Sequence, residues 1–435
     1  MALDPLLLAR ACAPATFVDA RDEVRKCGSC VVFSANGDGL MLLPAARQSM
    51  FASGAQGPVL AVTDMYGLLG SLGLVAAAGR SQGDSIHLTG GSVSSCDLVT
   101  LGGHAVVHKT VTRSQLPVVD SIERHRGEAD WIVALQADGC DHLFPRTRII
   151  RDDDTAFVVE SEFVGCYTLG EWFLQEHLRG KSGFEEAVIR EVFGILRGEL
   201  YSRDRSGGAR MESYLDKMRR RLRLVLSDST IQPIARLMFE DGAIIDNSRC
   251  RPLSEQLRAL ESARFDDLLK PAQLYECHGD LIPEDILVDG TGSVVAFVDP
   301  NPQNADPLVD LAKCVMSCCT RYDLALRDWL EVEVRQGGHG QLLAISTSWL
   351  REWRPFASRQ ETLGLELAKH AAEYMPPWIT STGRVTLENV LVLAGLQAIC
   401  IVPFHLIHHD RPSRALHFLA AGQLLIERAL LACGL

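Results

Sequence analysis

Short apolar runs separated by glycines dominate residues 86 to 109. Runs 86–89, 96–101 and 104–109 are rich in β-branched and alternating apolar residues, and Gly90-Gly91-Ser92 and Gly102-Gly103 stand between them. Such runs joined by glycine corners predict three strands of an antiparallel meander. A helical pattern over 119–135 follows, and two further strands are predicted at 147–150 and 156–159. The predicted order is therefore three strands, one helix and two strands.

The periodicity changes to that of helices after residue 165. Helices are predicted over 169–178, 185–201 and 212–226, followed by a brief return to strands within 273–300. Everything after Leu308 has a helical pattern. The basic run Arg219–Arg223 lies within the third helix, where such a run favours a solvated face over a binding patch.

Residues 1–84 have a different pattern of apolar runs and glycines, which predicts a small α/β module. The β-like runs 31–33 and 58–62 are each followed by a glycine-containing turn and an apolar segment compatible with a helix. The glycines of segment 67–73 do not match a dinucleotide-binding spacing and favour helix packing. Cys27 and Cys30 have no second pair to complete a zinc site, which favours a structural role.

Composition and charge narrow the class of protein. The 435 residues are 47% hydrophobic and 23% charged with a net charge of -12, which excludes a disordered chain and argues against nucleic acid as a partner. The 13 cysteines are mostly isolated among apolar residues, as in a reducing cytosol. Polar residues interrupt the longest apolar stretch, 390–406, so no membrane span is expected. A cytoplasmic protein is predicted.

The segment 275–300 brings three carboxylates to one end of a short hairpin. Asp280 lies on a loop, Asp285 follows five residues later, and Asp299 ends the return strand. Because these charges repel one another, a bound cation is the economical explanation, and oxygen ligands favour Mg²⁺. The sequence therefore predicts a magnesium site.

This segment resembles the aminoglycoside phosphotransferase and choline kinase superfamily of small-molecule kinases. The motifs are His278-Gly279-Asp280, the strand ending at Asp299, and the downstream segment Asp306-Pro-Leu-Val-Asp310-Leu-Ala-Lys313. The likeness is greatest to phosphotransferase-like proteins of capsular-polysaccharide and natural-product pathways. The family has Asn where this chain has Asp285, a departure that bears on nucleotide binding and metal preference.

The resemblance implies an α+β fold of the protein-kinase type. An antiparallel-sheet amino-terminal lobe would occupy 85–165 and a helical carboxy-terminal lobe 166–435, with the α/β module of 1–84 added in front. Asp280 would orient and deprotonate the acceptor hydroxyl, while Asp285 and Asp299 would hold Mg²⁺ against the nucleotide. His278 and Asp310 would support the catalytic loop.

The resemblance also implies a nucleotide site in the sheet lobe. Lys109, at the end of the third predicted strand, would bind the phosphates and pair with a glutamate of the following helix. Glu123 and Glu128 are both candidates, and Glu128 is preferred. Other residues implied to contact the nucleotide are the phosphate-covering Gly90, Gly91 and Ser92 and the adenine-binding hinge at Glu162 and Val164.

The resulting hypothesis is an ATP- or GTP- and Mg²⁺-dependent phosphotransferase acting on a hydroxyl of a small molecule, with a sugar-containing or natural-product acceptor. The acidic composition is compatible with a cationic acceptor, although net charge says little about one pocket. The alternatives are a pseudokinase that binds nucleotide or ligand without catalysis, suggested by Asp285, and a separate role for residues 1–84. A homodimer is compatible with the sequence.

Overall fold

The structure is a computed structural model. It describes residues 17–18, 30–34, 40–44, 85–88, 94–101, 104–112, 122–164, 167–205, 212–271, 273–335, 342–407 and 411–435.

Three short strands lie within residues 1–84 and form one antiparallel sheet. They are β1 (Phe17–Val18), β2 (Cys30–Ser34) and β3 (Leu40–Pro44), in the order β1-β3-β2. The predicted run 31–33 lies in β2. The apolar segment after it was expected to be compatible with a helix, but it is β3, which pairs with β2. Run 58–62 and segment 67–73 lie outside the described residues, so the α/β module stays a prediction.

The strands predicted between residues 86 and 159 form a five-stranded antiparallel sheet. They are β4 (Ser85–Leu88), β5 (Ser95–Leu101), β6 (His104–Thr112), β7 (Thr147–Asp152) and β8 (Ala156–Glu162). The spatial order is β4-β5-β6-β8-β7. Because β6 pairs with β8 along its length, the central strand of the sheet carries Lys109 opposite Val159. The predicted order of three strands, a helix and two strands is confirmed.

Helix α1 (Ile122–Ala137) connects β6 to β7 and packs against the sheet. Its buried residues recur at helical spacing, and Ile122 and Ala129 share a small core with Val111, Phe157 and Val159. This packing fixes which face of α1 meets the sheet, and Glu128 lies on that buried face.

The remainder of the chain is mainly helical. Its first helices, α2 (Leu169–Leu178), α3 (Glu185–Glu199) and α4 (Tyr214–Ser227), match the three that were predicted. Thr168 and Glu171 form a capping box that begins α2 directly after β9 (Tyr167–Thr168). The next elements are α5 (Gln232–Glu240), β10 (Ala243–Ile245), β11 (Ser248–Cys250), α6 (Leu253–Leu260), α7 (Asp266–Leu269), β12 (Ile286–Val288) and β13 (Val294–Phe297).

The final helices enclose the largest hydrophobic core. After β13 come α8 (Pro307–Thr320), α9 (Tyr322–Leu326), β14 (Leu330–Arg335), β15 (Leu343–Trp349), α10 (Arg354–Lys369), α11 (Ala371–Tyr374), α12 (Pro377–Thr380), α13 (Leu387–Ile407) and α14 (Pro412–Ala432). The prediction that everything after Leu308 is helical is wrong. Strands β14 and β15 form a hairpin, and β15 pairs in parallel with β10. The alternation of half-buried Leu330, Val332 and Val334 with exposed side chains has the period of a strand.

Helices α13 and α14 are long and apolar enough to span a membrane by length and composition alone, but 83% and 78% of their apolar windows are buried inside the protein. Such burial is typical of core helices. The two helices approach closely at Gly395 and Gly422, since a Cβ atom on Gly395 would lie 2.7 Å from the Gly422 carbonyl oxygen. Glycine at this crossing is therefore a packing requirement.

Candidate active site

Lys109 occupies the centre of the candidate active site. Its Nζ donates hydrogen bonds to Oε1 of Glu128 and to Oδ1 of Asp299, each over 2.8 Å. Strand β6 supplies the lysine, α1 supplies Glu128, and the loop after β13 supplies Asp299. The structure therefore places Lys109 beside Glu128, and this one lysine joins the sheet lobe to the hairpin of the helical part.

The charges of this group stabilise one another. Burial acts to lower the pKa of Lys109, but Asp299 and Glu128 together hold it well above its ordinary value. Burial acts in the opposite sense on Glu128, but the charge of Lys109 and the hydrogen bond of His125 bring its pKa down to about 2. The lysine is thus a permanent cation and Glu128 a permanent anion at neutral pH.

The catalytic-loop motif is held by Asp310 at the start of α8. Its carboxylate accepts hydrogen bonds from the backbone N–H groups of His278, over 3.0 Å, and Gly279, over 2.6 Å. The hydroxyl of Tyr201 donates a third, over 3.1 Å. Asp310 is fully buried, and these contacts are with groups that position the loop. Asp310 thus contacts the loop backbone directly, and its supporting role in catalysis stays a prediction.

His278 connects the loop to the hairpin. Its buried ring lies with Nε2 2.8 Å from the carbonyl oxygen of Val298, the residue before Asp299. Burial lowers the pKa of His278, which favours the neutral ring. Gly279 follows in the left-handed region at φ 80°, where a Cβ would overlap the backbone of Asn301. Sequence and local geometry together require glycine at this position.

Asp280 projects from the loop and forms an ion pair with Lys313, whose Nζ lies 2.6 Å from Oδ1. Burial acts to raise the pKa of Asp280, but Lys313 lowers it to about 2, so the carboxylate is ionised. No role was predicted for Lys313 from the sequence. The signal available was its spacing, since Lys313 follows Asp310 by three residues and so lies on the same face of α8.

The surroundings of Asp285 and Asp299 favour a bound metal ion. Val298, next to Asp299, donates its backbone N–H to the Asp285 carbonyl oxygen over 2.9 Å, which ties the two acidic residues together. Burial, followed by the charges of Asp299 and Asp280, raises the pKa of Asp285 well above its ordinary value. A cation would relieve this repulsion, so the residues fit a Mg²⁺ ion.

Within the described ranges, no group of three or more His, Cys, Asp or Glu side chains is arranged to hold a metal. Two carboxylates fit Mg²⁺ in a nucleotide site, because that ion usually takes one or two carboxylates and completes its shell with phosphates and water.

Of the other predicted nucleotide contacts, Glu162 and Val164 are among the described residues. Gly90, Gly91 and Ser92 fall in the connection between β4 and β5, outside the described residues. Glu162 ends β8, and its backbone N–H is engaged by the Arg146 carbonyl oxygen. Val164 makes no hydrogen bond to the described part of the chain.

The basic run of α4 differs from its expected solvated face at one position. Arg223 is exposed and Arg220 pairs with Glu212 over 2.9 Å, as expected. Arg221 instead points inward, where its Nη1 donates to the Cys400 carbonyl oxygen over 2.7 Å and its guanidinium lies over the ring of Phe404. Four arginines so close together in one helix must lie on different faces of it, so the prediction of one solvated face could not hold for all four.

The tryptophans of the helical part differ in burial. Trp329, Trp349 and Trp353 are buried, and the rings of Trp329 and Trp353 stack at 4.4 Å. Trp378 is 38% exposed and lies 6.1 Å from the ring of Tyr275, at the start of the catalytic segment. In the same part of the chain, His405 is buried and stacks on Phe418.

The described elements define an α+β fold with an antiparallel-sheet lobe followed by a helical part, as the sequence resemblance predicted. No family model matches the chain, and no curated protein matches it in sequence.

Several solved structures align with most of the chain at low sequence identity. A thermostable mutant of the aminoglycoside phosphotransferase APH(4)-Ia in its apo form aligns over 83% of this chain and 98% of its own, with 13% identity and a TM-score of 0.45. A further variant of the same enzyme, in ternary complex with ADP and hygromycin B, aligns over 82% of this chain and 97% of its own. The sequence identity is 13% and the TM-score is 0.43. A microcompartment-associated aminopropanol kinase aligns over 83% of this chain and 97% of its own, with 15% identity and a TM-score of 0.42.

Proposed function

We propose that this protein is an ATP- and Mg²⁺-dependent phosphotransferase that phosphorylates a hydroxyl group of a small molecule. The observation that carries the proposal is the contact of Lys109 with both Glu128 and Asp299. A buried lysine fixed by a helix glutamate and next to a loop aspartate is suited to neutralise phosphate oxygens beside a metal ion.

The nucleotide would lie between the sheet and the β12–β13 hairpin. Lys109 would hold the phosphates from the sheet side, and Asp285 and Asp299 would hold Mg²⁺ from the other. The bound ion would neutralise negative charge on the phosphates. The backbone N–H and C=O groups of Val164, which bond to no other described residue, suit adenine, which is recognised through donors and acceptors on its ring edge.

Asp280 would act on the acceptor. Its ionised carboxylate can accept a hydrogen bond from the attacking hydroxyl and take its proton as the phosphoryl group transfers. The ion pair with Lys313 keeps this carboxylate ionised at neutral pH, so it is able to accept that hydrogen bond. Lys313 and the bracing of the loop by Asp310 hold this carboxylate in place, so catalysis would depend mainly on positioning.

The first test is calorimetric titration of ATP, with and without Mg²⁺, into wild type and Asp299→Ala. We expect Mg²⁺-dependent binding in wild type that is lost in the variant. Asp289→Ala is a matched control, because Asp289 lies in the same hairpin with its carboxylate occupied by the turn residues Thr291 and Ser293. Metal-independent binding, or no binding, would favour a pseudokinase.

A second test addresses chemistry. With an acceptor identified by mass gain of one phosphoryl group, Asp280→Asn should reduce turnover by about 10² to 10⁴-fold, the range of general-base contributions, while ATP binding is retained. Near-wild-type turnover in this variant would remove Asp280 from the mechanism.

A further inference from the structure

Two cations of α4, Lys217 and Arg221, lie close enough to Asp280 to interact with its charge. Lys217, on α4, donates from Nζ to Oδ1 of Asn304 over 3.2 Å, and Asn304 in turn donates from Nδ2 to the Gly279 carbonyl oxygen over 2.6 Å. This chain of contacts places the ammonium group next to the catalytic loop. Arg221 follows Lys217 by one helical turn on the same face of α4.

Within the described ranges, neither cation has the anionic partner that such groups usually have. Among the described residues, no carboxylate forms an ion pair with Lys217 or Arg221, whereas the neighbouring Arg220 pairs with Glu212. The Nε of Arg221 is buried and finds no hydrogen-bond partner in the described part of the chain. A buried guanidinium with an unused donor is costly unless a ligand supplies an acceptor.

The local balance of charge also points to an absent anion. Burial, and then the charges of Arg221 and Lys313, lower the pKa of Lys217 to about 8. Asp280 opposes this effect, but it is already engaged by Lys313. Around Asp280, the three cations Lys217, Arg221 and Lys313 thus outnumber this one carboxylate.

We infer that the acceptor carries an anionic oxygen group, a carboxylate or a phosphate, which Lys217 and Arg221 bind while its hydroxyl meets Asp280. This inference rests on the proposed phosphotransferase function and specifies its substrate class. Charge-assisted hydrogen bonds from the two cations would orient the acceptor and discriminate against neutral and cationic alcohols.

The test is calorimetric binding to the full chain with Mg²⁺ and a non-hydrolysable ATP analogue present at constant ionic strength. The probes are inorganic phosphate, glycerol 3-phosphate, glycerate and glycerol, of which the last three share one hydroxylated skeleton and differ in charge. The anions should bind and glycerol should not. A preference between glycerate and glycerol 3-phosphate would identify the anionic group.

Lys217→Gln and Arg221→Gln should each weaken anion binding about ten- to hundredfold, the range for a lost charge-assisted hydrogen bond. Lys217→Gln leaves the packing of Arg221 on Phe404 unchanged, so it tests the inference even where Arg221→Gln folds poorly. Arg223→Gln, at an exposed arginine of the same helix, removes the same charge and should have no effect.

Two outcomes would overturn the inference while leaving the phosphotransferase proposal intact. One is Mg²⁺-dependent nucleotide binding with no binding of any anionic probe, or with anion affinity equal in wild type and both variants. The other is a loss of nucleotide affinity in Lys217→Gln with anion affinity unchanged, which would assign Lys217 to the transferred phosphate. Absence of nucleotide binding in wild type would count against the proposed function instead.

Discussion

Replacing Glu128 with glutamine tests the ion pair at the centre of the site. Glu128 is 8% exposed, and Lys109 contacts it over 2.8 Å. The variant keeps the shape of the side chain but removes its charge, leaving Lys109 with Asp299 as its one carboxylate partner in the described chain. We expect the protein to become less stable and to bind Mg²⁺-ATP more weakly, because the lysine is then held towards the metal residue.

The magnitude follows from the pKa of Glu128, which lies near 2 rather than at the ordinary value of 4.5. At about 1.4 kcal/mol per pH unit, this difference corresponds to about 3 kcal/mol of stability at neutral pH. Since the folded-state pKa is depressed, the contribution is fully present above pH 4.5 and is lost as pH falls towards 2. The difference between wild type and variant should therefore shrink by about 1 kcal/mol between roughly pH 6 and pH 3.5.

The assay is urea unfolding at several pH values, with hydrogen exchange in β6 and α1 as a local probe. Glu123→Gln is the matched control, because Glu123 is exposed on the same helix and was the alternative partner. Its change should cost at most about 1 kcal/mol, mainly through the helix dipole. Equal destabilisation in the two variants, or a Glu128→Gln difference that does not change with pH, would refute the reasoning.

Three further predictions concern other parts of the molecule. Gly395→Ala should destabilise the protein by about 1–3 kcal/mol in chemical denaturation, because the new Cβ would press on the backbone of the facing helix. Gly198→Ala is the control: there is open space around Gly198, so this change should be neutral or stabilising. Buried His417 has a pKa lowered by burial to about 4, so stability should fall as pH decreases from 6.5 to 4, and this pH dependence should be absent in His417→Gln. Lys313→Met should shift the acid limb of the turnover–pH profile to higher pH, because Asp280 loses the cation that lowers its pKa. Lys313→Arg should restore the profile. An acid limb at unchanged pH in Lys313→Met would contradict the assignment.

The sheet lobe was the most predictable part of the fold from sequence. Its strands are local runs with glycine corners, and the helix between them has a clear buried face, so short-range patterns determine their order. The hairpin β14–β15 was missed although residues 330–335 alternate with the period of a strand. Long helical patterns on both sides of this hairpin dominated the prediction, and its partner β10 lies some 100 residues away in sequence.

The candidate site was predictable where its chemistry is concentrated in one motif. His278, Asp280, Asp285 and Asp299 lie within 22 consecutive residues, and their spacing carried the hypothesis. Contacts between distant segments were not accessible in the same way. Lys217 lies 87 residues from Asn304, and only the packing of α4 against α13 brings it to the catalytic loop.

The local charge around Asp280 differs in sign from the net charge of the chain. The chain as a whole is acidic at -12, which by itself is compatible with a cationic acceptor. The proposed metal ligands Asp285 and Asp299 are acidic, whereas Lys217 and Arg221 bring positive charge close to Asp280. Because electrostatic interactions weaken within about a Debye length of roughly 8 Å in physiological salt, the acceptor responds to this local arrangement and not to the total charge. Specificity for the acceptor is therefore expected to depend on the inward face of α4.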